Sequence, residues 1–516
     1  MNSHSALPQI QRSGPGALFS QRLWQTGLLV AAVTLFTGCA VGPDFRSPVL
    51  PEQAGYRADD LPVSTASAEA PTGAAQRLVE GAQVPARWWE AFASAELNRR
   101  VEQALANSPD IASAQAALRQ AQAQTDVTRG GLFPSVDAVA GSNRQQNPLA
   151  SGPVSGSASP YTVYNASVDV GYTLDLFGGV RRSVEAQGAY ADIQRYQLQG
   201  TFLSLAANVV TTSIREASLR GQIRANEEIT RVYQEQFELT ERQYDTGVKS
   251  QGEVLFARSQ VAAARAQLPT LKKLLNQTQT QLAVYLGQFP SEAEFAELTL
   301  EDLQLPLEIP VSLPSAVVRT RPDVLAAEAN LHQATAAVGI ATANLFPNIV
   351  LSASLGSQAL ERGDLFGGST EAWSLGLNLL QPIFRGGSLR AQKRAAEAGL
   401  DQASADYRST VLTAFQNVAD SLRALELDAE SLASRAAALE ATAESLAIAR
   451  RQYEDGSIEY LQVLIESRLF EQSRVLFIEA RANRLADTAA MYTALGGNFS
   501  AGEPIAQDTV GTESPQ

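Results

Sequence analysis

Two long stretches of this chain carry the same landmarks in the same order. Ser108-Pro109-Asp110 opens an alanine-rich helical pattern that reaches Leu132-Phe133-Pro134, and Arg321-Pro322-Asp323 opens another that reaches Leu345-Phe346-Pro347. The aspartate and the closing proline are 24 residues apart in both copies (134 minus 110, 347 minus 323). Phe177-Gly178-Gly179 then matches Phe384-Arg385-Gly386-Gly387, Tyr244-Asp245-Thr246-Gly247 matches Tyr453-Glu454-Asp455-Gly456, and Leu286-Gly287 matches Leu495-Gly496. Across these landmarks the offset drifts only from 213 to 209 residues (322 minus 109, 453 minus 244). A period this long excludes a solenoid of short repeats and reads as one duplication of a large unit.

Within each copy the hydrophobic period changes twice. Tyr164, Ala166, Val168, Val170, Tyr172, Leu174 and Leu176 alternate with Asn165, Ser167, Asp169, Gly171, Thr173 and Asp175, the pattern of a strand with one apolar and one polar face. Ile349, Leu351, Ala353 and Leu355 repeat it, as do Trp373, Leu375, Leu377 and Leu379. With a weaker segment after Pro134, the chain carries four strands in two hairpins, whose connections are rich in Gly, Ser and Pro. After each Gly-Gly pair the period becomes helical. Val411, Phe415, Val418, Leu422 and Leu425 form a four-three seam, and so do Leu198, Phe202, Leu205 and Val209. No proline interrupts Leu389 to Tyr453, so a helix about 90 Å long is expected at 1.5 Å per residue. Gly247 and Gly456 are expected to end these helices as left-handed caps, each followed by a returning helix.

Four strands with an apolar face leave two open edges, which lipid does not tolerate. A membrane barrel would therefore have to be shared. Two chains would give about eight strands with a filled interior, and three about twelve around a water-filled lumen. The polar face bearing Asn165, Asp169 and Asp175 suits such a lumen. A soluble sandwich that hides the apolar face is the alternative.

The inventory of reactive groups is short. His4 and His332 are the only histidines and Cys39 the only cysteine, which excludes Cys/His zinc sites, Cys-His dyads and disulfides within the chain. His332 sits in an alanine-rich helical stretch and reads as a surface or packing residue; no metal or cofactor is expected. The net charge of −14 argues against nucleic acid as a partner. Leu23 to Phe36 is an apolar run preceded by Arg12 and Arg22 and followed by Thr37-Gly38-Cys39, the layout of a secretory signal. The small residues before the lone cysteine resemble a lipobox, which would make Cys39 the acylated mature N-terminus; a buried free cysteine is the other reading.

The expected organisation is a signal peptide at 1–38, then a lipid-linked extended segment and the start of an equatorial domain at 39–105. A first repeat at 106–289, a Pro-rich equatorial linker at 290–320, a second repeat at 321–497 and a disordered tail at 498–516 complete it.

Together with Trp88-Trp89, Phe92 and Leu97, Arg321-Pro322-Asp323-Val324, Tyr460-Leu461 and Arg468, these landmarks resemble the lipoprotein branch of the TolC superfamily of outer-membrane factors. These are the NodT/OprM-like ducts of resistance-nodulation-division efflux systems. The resemblance runs from Cys39 to about Gly497. It implies a mixed membrane β-barrel plus a long α-helical coiled-coil tunnel, with an internally duplicated chain giving four strands per protomer to a shared twelve-stranded barrel. A small mixed equatorial domain would complete a homotrimer in outer-membrane lipid. Its implied partners are a periplasmic adaptor protein and an inner-membrane efflux pump, and its role is passive conduction rather than catalysis.

The helix ends with Tyr244, Gly247, Val248, Tyr453, Gly456 and Ile458 would meet the adaptor. Family members often carry a gate carboxylate nine residues after the second-tip glycine, beside a leucine. Here Leu461 matches, Ile465 stands at the carboxylate position, and Glu466 follows it. Either Glu466 turns sideways to a neighbouring helix, or Ile465 makes the seal more apolar, or Glu466 is an ordinary solvated residue. A lipid-anchored coiled-coil scaffold or adhesin, and a carboxylate-based periplasmic hydrolase, remain the competing functions.

Overall fold

The computed structural model describes residues 40–49, 55–56, 62–146, 160–312 and 314–497. Residues 1–38, Cys39, part of the first hairpin connection and the tail at 498–516 lie outside the described residues. Elements follow in the order β1 (Arg77–Glu80), a 3-10 turn (Trp88–Phe92), α1 (Ala95–Asn107), α2 (Pro109–Gly130), β2 (Ser135–Gln145), β3 (Tyr161–Leu174), α3 (Gly179–Asp245) and α4 (Gln251–Tyr285). Then come β4 (Glu308–Val311), α5 (Pro314–Thr320), α6 (Pro322–Ala343), β5 (Asn348–Ala359), β6 (Glu371–Leu380), α7 (Ser388–Glu454) and α8 (Tyr460–Ala494). The long helices come in pairs of equal length. α2 and α6 have 22 residues each, α3 and α7 have 67, and α4 and α8 have 35.

The chain divides into two units. One holds the described residues through Phe45, Ala123–Gly188 and His332–Asp401; the other holds the rest. In the first, β2-β3-β5-β6 form an antiparallel sheet in that order, with β2 and β6 at its edges. The period-two pattern sorts its faces. Asp137, Asp169, Ser354 and Ser374 align across the four strands on the polar face. Ala138, Val168, Leu355 and Trp373 align on the apolar one, where Trp373, Leu375, Leu377 and Leu379 are all at least 60% exposed in the single chain.

β3 stops at Leu174, short of the alternation expected through Leu176. Asp175 therefore leaves the strand, and its carboxylate accepts from the backbone N–H groups of Val180 (3.1 Å) and Arg181 (2.9 Å). It caps the unpaired N–H groups that open α3, and this competes successfully with another rung of sheet.

The same unit secures the stretch just after residue 39. The Val41 N–H donates to the Phe177 carbonyl at 3.1 Å, and Arg182 reaches Asp44 at 2.6 Å. Phe45 stacks on His332 with ring centroids 4.3 Å apart, and the His332 Nε2 lies 2.9 Å from Glu185.

In the second unit the expected seam is buried: Val411, Val418, Leu422 and Leu425 on α7, and Leu198, Leu205 and Val209 on α3. Trp88, Phe92 and Leu97 are fully enclosed, and Trp88 stacks on Tyr492 of α8 at 5.6 Å. β1 and β4 pair in parallel beside this core, so the Pro-rich middle segment supplies a strand. Two of the buried arginines are fully enclosed, each with partners. Arg100 bonds Glu216 at 2.7 Å with both side chains fully buried, and Arg484 donates to the carbonyls of Thr72 (3.0 Å) and Ala74 (2.8 Å). No helix among the described residues is long and apolar enough to cross a membrane.

Candidate gate and helix tips

Both long helices end in the same way. Gly247 and Gly456 adopt φ of 79° and 72°, a region that a side chain disfavours. Each donates its N–H to the tyrosine three residues back, Tyr244 at 2.8 Å and Tyr453 at 2.9 Å. The next N–H reaches five residues back, from Val248 to Gln243 and from Ser457 to Gln452, both at 2.8 Å, which satisfies the last free carbonyls.

The returning helices begin differently. α4 opens with a capping box in which Ser250 and Glu253 exchange hydrogen bonds, and the Ser250 N–H, followed by the Lys249 ammonium and the Ser250 hydroxyl, holds the Glu253 carboxyl down at about 2. α8 has no side-chain cap at Glu459. Instead its first residue, Tyr460, donates to Glu235 of α3 at 2.9 Å and packs its ring against Tyr453, 5.2 Å away. Tyr244, Val248 and Tyr453 are exposed, while Ile458 is half-buried against a small cluster of Leu446, Ala449 and Val463.

Past the second tip, Val463, Leu464 and Ser467 form the buried face of α8, and Leu461, Ile465 and Glu466 are half-buried beside it. Glu466 accepts from the Ser445 hydroxyl of α7 and from the Gln462 side-chain amide, both at 2.8 Å. Its donors are therefore neutral groups on its own hairpin rather than Arg450, Arg451 or Arg468. Its turn of about 100° from Ile465 carries it toward α7.

A belt of charge lies nearby that sequence reasoning did not single out. Arg231 pairs with Glu228 and Glu235 on α3, and Arg474 pairs with Glu471 on α8. The Arg231 hydrogen bond, aided by other arginine charges, holds the Glu228 carboxyl below its usual range, whereas burial pushes Glu471 up. The i,i+3 and i,i+4 spacing around Arg231 was visible in sequence; its link through Glu235 to Tyr460 was not. Of the polar strand residues, Asn165 and Asp169 lie on one sheet face, and Asp169 accepts from Ser354 at 2.5 Å. Asp175 is the helix cap described above. Among the described residues there is no group of acids, histidine or cysteine placed to hold a metal.

The described residues thus combine a four-stranded sheet with two open edges and, continuous with it in the chain, two pairs of very long helices. The solved outer-membrane channel OprN superposes with a TM-score of 0.78 at 29% identity, covering 89% of this chain and 99% of that one. The chain belongs to the outer membrane efflux protein family, whose model matches residues 101–288 and 313–497. The pyoverdine export outer membrane protein OpmQ of Pseudomonas putida is 32% identical over 430 residues, 81% of this chain and 89% of its own length. The toluene efflux pump outer membrane protein TtgC of the same species is 31% identical over 498 residues, covering 95% and 99%.

Proposed function

We propose that three copies of this chain form the outer-membrane exit duct of a tripartite efflux pump of the resistance-nodulation-division type. The observation that carries this reading is the open sheet. Its apolar face is exposed in the single chain and its polar face carries Asn165 and Asp169, yet the outer edges of β2 and β6 are paired with no strand among the described residues. Three such sheets joined edge to edge would close a barrel of about twelve strands, abolish the edges and enclose water. Helices α3 and α7, each about 100 Å long, would continue that passage across the periplasm.

Acylation of Cys39 would tether the chain to the membrane, and the docked stretch Val41 to Phe45 would hold that tether against the strand-to-helix junction. The tips around Gly247 and Gly456 would dock a periplasmic adaptor, with the inner-membrane pump beyond it. Rings of Leu461, Ile465 and Glu466 from three chains would narrow the resting tunnel. Transport through the duct is passive, with no catalytic step. Relatives named for pyoverdine export and for toluene efflux resemble this chain at nearly the same identity, which supports placing the choice of cargo elsewhere in the pump.

Purified protein in planar bilayers tests the reading. A heat-modifiable trimer that conducts ions is expected. A membrane-bound protein without conductance would instead favour a lipid-anchored scaffold.

A further inference from the structure

The apolar face of the sheet is not uniformly bulky. Ala138 pairs with Val168 and Ala140 with Ala166, and together with Val139, Ser167, Leu355 and Phe366 these residues line a shallow hollow of about 310 Å³. Elsewhere on this face Trp373, Leu375, Leu377 and Leu379 stand proud. Phe366, 85% exposed, reaches the hollow from the connection between β5 and β6.

Two guanidinium groups lie at the same end of the sheet. Arg144 continues the face of Ala138 and Ala140 near the end of β2, opposite Thr162. Arg362 lies over the Tyr164 ring, 5.3 Å from its centroid. Neither forms an ion pair among the described residues, although Glu361 and Asp364 are close in sequence to Arg362 and Glu371 stands across the sheet on the rung of Ala140, Ala166 and Ser357. An apolar hollow topped by two unneutralised cations fits an amphiphile with acyl chains and an anionic head.

β3 and β6 run at their other ends into α3 and α7. If those helices lie in the periplasm, the Arg144, Tyr164 and Arg362 end faces the outer leaflet, so this inference rests on the membrane-duct reading.

We infer that the hollow at Ala138, Ala140 and Ala166, together with Arg144 and Arg362, binds a phosphorylated glycolipid of the outer leaflet. An acyl chain lies along the alanines under Phe366, and a headgroup phosphate meets the two guanidinium groups.

Native mass spectrometry of the full-length protein tests the site, with hexa-acylated bisphosphoryl lipid A, its dephosphorylated form, and phosphatidylglycerol as probes. Conductance is recorded on the same preparation. The phosphorylated lipid A should be retained most strongly, and the double variant Arg144→Ala/Arg362→Ala should lose roughly thirtyfold of that preference, both residues being exposed. Ala140→Trp should weaken retention of both lipid A forms by filling the hollow. A conducting protein that holds both lipid A forms equally, or whose double variant behaves like the parent, overturns the site alone. Phosphatidylglycerol bound as tightly as lipid A overturns the outer-leaflet assignment. Loss of conductance in the parent would count against the duct itself.

Discussion

Tyr460 donates to Glu235 at 2.9 Å and so ties the first turn of α8 to α3, 225 residues earlier in the chain. The bond joins the two helical hairpins close to their tips, and burial, followed by this bond to Glu235 and then the Glu235 charge, raises the pKa of the phenol. Tyr460→Phe removes this tie at a cost of about 1 kcal/mol. We expect higher resting conductance from an assembled trimer, with a smaller rise for Glu235→Gln, which retains an acceptor. Parental conductance in Tyr460→Phe would show that the tie does not restrain the tunnel.

Glu466 is held by Ser445 and Gln462, so Glu466→Gln should change little, because the amide can keep the same two contacts after a flip. Leu461→Ala should raise resting conductance by widening an apolar constriction. Single-channel recordings of both variants check this, and a large rise from Glu466→Gln would instead point to a carboxylate ring.

Gly456→Val places a β-branched side chain at φ 72°, where nothing lies within 4 Å of the added Cβ. The cost is therefore backbone strain alone, of order 1–2 kcal/mol. Trimers should still form, with a melting temperature lower by a few degrees and weaker cross-linking to the adaptor. Undiminished cross-linking and export would move the docking surface away from this tip.

How much of this could be read from sequence differs by element. The seam from Val411 to Leu425, the alternation in β3 and β6 and the glycine caps were all legible, because each depends on a local period or a single required φ. The end of β3 was not: Asp175 fits the alternating pattern, but capping α3 is the stronger demand. The β1-β4 pair escaped because each strand has four residues and one contains Pro310. Arg100 with Glu216, Tyr460 with Glu235, and Arg484 with Thr72 and Ala74 join distant segments that no periodicity connects. The sideways turn of Glu466 was one of the expected alternatives, since helical spacing gives direction but not a partner.

A pH dependence follows from Asp428 on α7. Burial, reinforced by the neighbouring Asp487 and opposed by Arg484, pushes its carboxyl up to about 7, and its Oδ2 is buried without a hydrogen-bond partner. The folded state therefore holds a proton that the unfolded chain releases near pH 4. Its stabilising contribution is complete below about pH 4 and is lost as pH rises toward 7. Asp428→Asn should raise the melting temperature at pH 8 and leave it unchanged at pH 4. Equal shifts at both pH values would contradict this assignment.

The central claim is that three copies close one barrel through β2 of one chain and β6 of the next. Cysteines walked along these edges test it most directly, with Val139→Cys or Gly141→Cys on β2 paired in turn with Ser374→Cys or Gly376→Cys on β6. The account predicts that one registered pair, on oxidation in the membrane, yields a covalent species that stops at three chains and still conducts. Ladders running beyond three chains, or no link between chains from any pair along the two edges, would contradict it.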